Sequence, residues 1–173
     1  MTLRLTFGID PGLTGAVATL IDGEPGPMLD MPTSRVDGKR EVNAFALAAW
    51  IRDVRAQHPG AYVSACLELV GSVPMAGRKQ GGSSMFAFGD GYGQVKAVLG
   101  VLGIRFERVK PEVWKRHFRI PGKAKDPDAG RCVAIARFPS VADQLQRKKD
   151  SGRADALWLA LWLEQQQMGA EAA

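Results

Sequence analysis

Three acidic residues lie in stretches of the sequence that are otherwise apolar. Asp10 ends the strand-like segment LRLTFGID, Glu68 lies within AYVSACLELV, and Asp155 lies within GRADALWLALWLEQQQ. Carboxylates on buried elements either have raised pKa values or share a divalent cation. Because neither His nor Cys belongs to the set, oxygen-only ligation by Mg²⁺ or Mn²⁺ is the favoured metal chemistry.

The positive charge of the chain is concentrated in one block. Residues 96–153 contain fifteen Lys and Arg against six Asp and Glu, whereas residues 1–95 contain eight against nine. A basic block inside a folded domain is typical of a protein that binds a polyanion such as nucleic acid, although a solvated lysine-rich surface has the same composition. Carboxylates beside such a surface predict metal-assisted phosphodiester hydrolysis, with one ion activating water and another stabilising the leaving oxygen.

Each acid also has an explanation that involves no catalysis. Asp10 could begin the DPG turn, a position that aspartate favours. Asp155, together with Asp150 just upstream in KKDSGRAD, could cap the final helix. Glu68 has no comparable alternative, since it is an ionisable residue inside an apolar strand.

The elements that must position these acids alternate between strands and helices. Three strands are predicted first, in LRLTFGID, GAVATLID and GPMLDMP, and they are followed by a helix over about 41–58. AYVSACLELV is the fourth strand, a helix follows over about 84–102, and IRFERVK is the fifth strand. Shorter helices and one buried helix complete the chain, which predicts a mixed α/β sheet covered on both faces.

Side-chain alternation places each strand acid among small residues. Asp10 shares its strand face with Thr6 and Gly8, and Glu68 shares its face with Ser64 and Cys66. Small neighbours would leave room beside both acids. In the last helix, Asp155 precedes Leu159 by one turn and points into the same packed environment.

The composition is that of one compact domain. The chain has 173 residues, 46% of them apolar, and we assign residues 1–166 to the domain and 167–173 to a flexible tail. Cys66 and Cys132 are predicted to be buried thiols rather than a disulfide or a zinc site. The first residues lack the pattern of a signal peptide, and no apolar run approaches the length of a membrane span, so we expect a cytoplasmic protein without membrane contact.

Five segments together resemble the RuvC-type Holliday junction resolvases, especially their phage-like branch. The segments are GIDPGLTGAVA, CLELV, SSMFAFGDGYGQVKAVL, VKPEVWK and KKDSGRADALWLALW. The resemblance implies an RNase H-like fold with strand order 3-2-1-4-5, a homodimer, and two Mg²⁺ or Mn²⁺ ions per active site. It implies paired nicking of opposing strands across a four-way DNA junction, with Asp10, Glu68, Asp150 and Asp155 as catalytic metal ligands.

The resemblance is incomplete near the last two acids. Bacterial members carry two acids three residues apart on the final helix, and Gly152 occupies the first of those positions here. Asp150, five residues before Asp155, matches the phage-like pattern better.

The same resemblance implies DNA contacts from basic side chains, which bind phosphates without reading sequence. The residues concerned are Lys110, Lys115, Lys123, Lys125 and Arg131, together with Arg78 and Lys79 in the loop after the fourth strand. Bacterial members also place an aromatic just after the catalytic Glu, where this chain has Leu69, Val70 and Gly71. Met75 or Phe86 could replace it as an apolar wedge, although Phe86 and Phe88 are predicted to be core residues.

The second helix carries Gly89, Gly93 and Ala97 at four-residue spacing. Glycine inside a helix costs about 1 kcal/mol relative to alanine, so a close approach by another element is expected there. By resemblance that element would belong to the second subunit, and the alternative is tight packing on the chain's own sheet.

Two further classes of protein share some of these features. DPGLTG also resembles the phosphate loop of actin-like ATPases and sugar kinases, but those proteins need a second phosphate loop that this sequence lacks. A catalytically inert DNA-binding module would have lost acids, and all four are present. A nuclease with broader specificity for branched DNA is a further alternative, and no nucleotide cofactor is expected in any of the nuclease interpretations.

Overall fold

The computed structural model describes residues 2–69, 82–121, 126 and 128–171. Seven strands lie within these residues, and their bounds are β1 Arg4–Asp10, β2 Ala16–Ile21, β3 Glu24–Asp30, β4 Thr33–Val36, β5 Lys39–Val42, β6 Tyr62–Glu68 and β7 Arg105–Val109. The α-helices of the same ranges are α1 Ala44–Ala56, α2 Gly82–Val101, α3 Pro111–His117, α4 Ala129–Arg137 and α5 Ser151–Glu171. Two short 3-10 helices, Pro139–Leu145 and Lys148–Asp150, lead into α5.

The central sheet has five strands in the order β3-β2-β1-β6-β7. β1 is antiparallel to β2 and parallel to β6, which in turn is parallel to β7. When the five sheet strands are numbered along the chain, this order is the predicted 3-2-1-4-5. The strand order and the helices on both faces confirm the expected RNase H-like α/β fold.

Apolar side chains cover the two faces of the sheet separately. Leu5, Phe7 and Ile9 of β1 point to one side and pack with α1 and α2. The other face packs against α5, which is buried along most of its length, and against α3 and α4. Alternation along β1 places Asp10 on the face opposite this apolar row, as the sequence predicts, and that face is the one covered by α5.

Gly8 is the point of closest approach between β1 and α5. A Cβ atom built on Gly8 would overlap the carbonyl oxygen of Ala156 and lie 2.5 Å from the amide nitrogen of Ala160. The sequence interpretation that Gly8 leaves room beside Asp10 is therefore wrong, because the helix backbone fills that room. The glycine sets the distance between the strand and the helix that carry two of the acids.

Gly8→Ala is expected to destabilise the fold by about 3 kcal/mol, since overpacked cores commonly lose this much and the atoms that would clash are helix backbone. Thermal or urea unfolding measures the change. Gly100→Ala in α2 is the matched control, because in the described structure nothing outside its own helix lies within 4 Å of its Cβ position. The control is expected to unfold at the same or a higher temperature, and equal unfolding of the two variants would contradict the close contact.

The β4–β5 hairpin was not predicted from the sequence. Its two turn residues, Asp37 and Gly38, both have positive φ, 49° and 77°, which is typical of a two-residue hairpin turn. The hairpin occupies the start of the helix predicted over 41–58, and α1 begins at Ala44 with Asn43 as its cap. Few apolar residues lie in β4 and β5, so apolar periodicity does not reveal them.

Three smaller predictions have different outcomes. Cys66 is buried as predicted, and burial raises the pKa of its thiol, but Cys132 is exposed on the outer side of α4. α5 continues to Glu171, beyond residue 166, where the sequence interpretation ended the domain, and residues 172–173 lie outside the described residues. No helix in the described ranges is both long enough and apolar enough to cross a bilayer.

Candidate active site

Two of the four candidate acids end neighbouring strands. Asp10 is the last residue of β1 and Glu68 is the last residue of β6. The two strands are parallel, and their pairing runs through Gly8 with Cys66 and Ile9 with Leu67. Carboxyl ends of parallel strands meet at one edge of a sheet, so both acids stand at the same edge.

The DPGLTG turn folds back around the Asp10 carboxylate. The amide of Gly12 donates a hydrogen bond to Asp10 Oδ1 at 3.2 Å. A Cβ on Gly15 would lie 2.8 Å from Asp10 Cγ, so only glycine allows the turn to close this tightly. The turn is therefore a local structure that fixes the position of Asp10.

Asp155 lies in the first turns of α5, with 5% of its surface exposed. A Cβ on Gly130 of α4 would lie 3.4 Å from Asp155 Oδ1. The indole of Trp158, one turn later, donates a hydrogen bond to the Gly130 carbonyl at 2.9 Å. Packing between α4 and α5 therefore holds the helix segment that carries this carboxylate.

Glu68 links the three acids electrostatically. Burial raises its pKa to about 7, and the charges of Asp10 and Asp155 contribute in the same direction. Trp114 of α3 opposes the shift by donating an indole hydrogen bond to Glu68 Oε1 at 3.1 Å, as does the charge of Lys115. The fold thus brings Asp10, Glu68 and Asp155 close enough to act on one another.

Asp150, the fourth candidate acid, forms an ion pair with Arg147. Its buried carboxylate accepts hydrogen bonds from the Arg147 amide at 2.8 Å and from the Arg147 guanidinium at 2.6 Å. These bonds hold the pKa of Asp150 below its usual range. Within the described part of the chain, Asp150 is not among the charges that shift the pKa of Glu68.

Gly152 explains one departure from the bacterial pattern. A Cβ on this residue would lie 2.8 Å from the Thr14 carbonyl oxygen and 3.1 Å from Gly15 Cα. The first turn of α5 therefore packs directly on the DPGLTG turn. An acidic side chain at position 152 would collide with that turn.

Asp150→Asn is expected to lower stability by about 2 kcal/mol, because it breaks a charge-assisted hydrogen-bonded pair at a buried oxygen. The Mg²⁺ concentration that half-saturates the protein in a metal-binding titration is expected to stay the same. Thermal unfolding and that titration measure the two effects. A raised Mg²⁺ requirement with unchanged stability would instead support the predicted role of Asp150 as a ligand.

The three acids that lie near one another have the ligand chemistry that a hard cation prefers. Asp10, Glu68 and Asp155 offer only carboxylate oxygens, and a cation among them would offset the repulsion that helps raise the pKa of Glu68. In the arrangement observed for the described residues, no three His, Cys, Asp or Glu side chains already form a metal-binding group.

The predicted DNA-binding residues fall into three groups. Lys110 is exposed at the start of α3, and Lys115 lies over the Trp114 ring with its Nζ 4.9 Å from the ring centre. Arg131 donates hydrogen bonds to the Asp128 carboxylate and to the Leu145 carbonyl, so it joins α4 to the segment before α5. The remaining predicted residues, Arg78, Lys79, Lys123, Lys125 and the wedge candidate Met75, lie outside the described residues.

The prediction that Phe86 and Phe88 belong to the core is wrong. Their exposed fractions are 79% and 38%, near the beginning of α2. Helical spacing does not distinguish a face turned to the sheet from a face turned to solvent when both carry apolar residues. Phe86 therefore keeps its predicted role as a candidate wedge.

Two residues that hold the candidate acids were missed at the sequence level. Trp114 donates the hydrogen bond to Glu68, and Arg147 binds Asp150. A buried tryptophan needs an acceptor for its N–H group, and this general rule was the available signal for Trp114. Nothing in the sequence identifies which acceptor it meets.

The strand order, the helices on both faces and the acids at the sheet edge define an RNase H-like domain with a candidate acidic centre. No protein-family model matches the chain, and no curated protein matches its sequence. One similar solved structure is Thermus thermophilus RuvC in complex with a Holliday junction substrate, with 15% identity, a TM-score of 0.49, and coverage of 91% of this chain and 90% of that chain. Another structure of Thermus thermophilus RuvC has 13% identity, a TM-score of 0.40, and coverage of 91% of both chains.

Proposed function

We propose that this protein is a metal-dependent endonuclease that acts on branched DNA and resolves four-way junctions by paired nicks as a homodimer. The observation that carries the nuclease proposal is that Asp10 and Glu68 end neighbouring parallel strands, with Asp155 near enough to raise the pKa of Glu68. A cation bound among these carboxylates would offset that shift.

Asp10, Glu68 and Asp155 would hold the metal. The predicted role of Asp150 as a fourth ligand is tested by the Asp150→Asn titration, because its carboxylate is bonded to Arg147. Two bound Mg²⁺ or Mn²⁺ ions would supply an activated water and stabilise the leaving oxygen of a phosphodiester. The chain's own residues orient the ligands. The DPGLTG turn fixes Asp10, the Trp114 indole orients Glu68, and the contact between α4 and α5 fixes Asp155.

The choice of branched DNA rests on the sequence resemblance and on one structural observation. Phe86, with 79% of its surface exposed, lies near the beginning of α2, which is the next described element after Glu68. Since an apolar side chain inserted between base pairs stabilises distorted DNA, Phe86 is a candidate wedge at a junction centre. Lys110 and Lys115, at the start of α3 and within it, would contact phosphates.

The homodimer is supported by the open face of α2. Among the described residues, nothing outside their own helix lies within 4 Å of the Cβ positions of Gly89 and Gly93, and Ala97 is exposed. This supports a contact with a second copy over packing on the chain's own sheet. A second copy of the chain would cover the face and place a second active site on the opposing DNA strand.

The proposal is tested by incubating the protein and Mg²⁺ with an end-labelled four-way junction, a three-way junction and a linear duplex of the same sequence. We expect paired nicks in opposing strands of the four-way junction and little cutting of the duplex. Sedimentation at micromolar concentration is expected to give a dimer.

The outcomes separate the parts of the proposal. Equal cutting of all three DNAs would leave a nuclease and refute the resolvase. Equal cutting of the two branched DNAs would support the broader branched-DNA specificity. Binding of ATP without any cutting would favour the actin-like class.

A further inference from the structure

The β4–β5 hairpin is attached to the sheet at the edge that carries the candidate acids. β3 ends at Asp30, which pairs with Ala16, and Ala16 pairs with Asp10. The amide of Met31 then donates a hydrogen bond to the carbonyl of Gly15 at 2.9 Å. Since β4 begins two residues later, the hairpin starts beside the turn that surrounds Asp10.

Two arginines face each other across the hairpin. Arg35 pairs directly with Arg40, so their side chains lie on the same face. Like charges placed directly opposite are destabilising, and within the described residues neither arginine forms an ion pair. Glu41, the acidic residue of β4 and β5, pairs with Ser34 and therefore lies on the other face of the hairpin.

Most hydrogen-bond donors of these two arginines are not used inside the protein. In the described structure, Arg35 donates one bond, to the Gly38 carbonyl at 3.3 Å, and Arg40 donates one bond, to Thr33 Oγ1 at 2.9 Å. Both residues are exposed. A guanidinium has five N–H donors, so each arginine can bind an anion without losing its internal bond.

The hairpin is a preorganised support for this pair. Its two-residue turn at Asp37 and Gly38 keeps the register of the strands fixed. At its base, Val42 is buried and packs beside Gly91 of α2, where a Cβ would lie 3.1 Å from Val42 Cγ2. Little conformational entropy would be lost when such an arm binds a partner.

We infer that Arg35 and Arg40 bind the phosphate backbone of a duplex arm of the DNA substrate. This inference rests on the proposed function and extends it to a second contact surface, outside the basic block of residues 96–153. A phosphate between the two guanidinium groups removes their repulsion and accepts charge-assisted hydrogen bonds from both. The contact is independent of base sequence.

The test is the salt dependence of binding. Full-length protein is titrated onto a fluorescently labelled four-way junction in EDTA, so that no cleavage occurs, over 50 to 200 mM salt. Each phosphate contact to duplex DNA contributes about 0.9 to the slope of log K against log salt. Because the two arginines share one phosphate, Arg35→Gln with Arg40→Gln is expected to reduce the magnitude of the slope by about 0.9.

Three variants serve as controls. Arg52→Gln removes one positive charge, as each single arginine variant does, at an exposed position in α1 outside the basic block, and is expected to keep the slope. Lys39→Gln removes a cation from the other face of the hairpin and is expected to change the slope less than either arginine. Arg35→Lys with Arg40→Lys keeps both charges and is expected to keep the slope.

Stability gives a second readout. Because the neutral double variant loses a like-charge pair, it is expected to unfold at the same or a higher temperature than the wild type. A lower unfolding temperature would show that the pair has a structural role and would overturn the inference.

The outcomes also distinguish this inference from the proposed function. An unchanged slope in the double variant, with a wild type that binds and cuts junctions, overturns the hairpin contact alone. An altered sedimentation coefficient with an unchanged slope assigns the pair to a protein contact and also overturns it. A wild type that neither binds nor cuts junction DNA overturns the proposed function, and the inference fails with it.

Discussion

Asp10→Asn is expected to lower the rate of DNA cleavage by about 10³-fold while the protein remains folded. Asparagine keeps the shape of the side chain and can still accept the Gly12 hydrogen bond. It removes a negative charge that would bind a divalent cation. Losing one electrostatic contact that stabilises the transition state commonly lowers the reaction rate by two to three orders of magnitude. The rate is measured on the four-way junction at saturating Mg²⁺.

Asp53→Asn is the matched control, because Asp53 is exposed on α1. It is expected to cut at the wild-type rate. Asp155→Asn is expected to resemble Asp10→Asn, since both acids act on Glu68. Wild-type activity in either site variant would remove that acid from the catalytic group.

Glu68→Gln is expected to stabilise the metal-free protein by about 3 kcal/mol at pH 8 and to have little effect at pH 4. The pKa of Glu68 is raised from 4.5 to about 7 in the folded protein. The folded state therefore binds more protons than the unfolded state between these pH values, and stability falls as pH rises through this range. Glutamine keeps an oxygen acceptor for the Trp114 indole and does not titrate.

The measurement is thermal or urea unfolding in EDTA from pH 4 to 8, and the difference between wild type and Glu68→Gln isolates this one group. Added Mg²⁺ is expected to stabilise the wild type most at high pH, where its carboxylates are ionised, and to affect the variant less. Parallel pH profiles for the two proteins in EDTA would show that Glu68 titrates normally.

Strand alternation and chain order were enough to predict the main sheet. The apolar row of Leu5, Phe7 and Ile9 identified β1 and the face on which Asp10 lies, and the resemblance supplied the strand order that the structure confirms. The β4–β5 hairpin was missed because it is largely polar, although its Asp-Gly turn was a visible signal. Sequence periodicity detects elements that bury a face, and this hairpin buries only Val42 at its base.

The sequence points to the acids of the candidate site but not to the residues that hold them. Side-chain type and buried context identified Asp10, Glu68 and Asp155, which the structure brings together. The partners of these acids depend on tertiary contacts between distant segments, such as Trp114 with Glu68 across 46 residues. Gly8 was misinterpreted for the same reason, because the sequence does not show that the backbone of α5 occupies the space that a side chain would fill.

The contact of Gly152 with the DPGLTG turn has a consequence for related chains. Because the Thr14 carbonyl oxygen lies 2.8 Å from the Cβ position of residue 152, the turn and the helix cannot both stay in place if that residue gains a side chain. Homologues with an acid at this position should therefore carry a longer or differently folded turn after the first acid, and homologues with glycine should keep the short one. The residue at position 152 and the length of this turn are therefore expected to covary across an alignment.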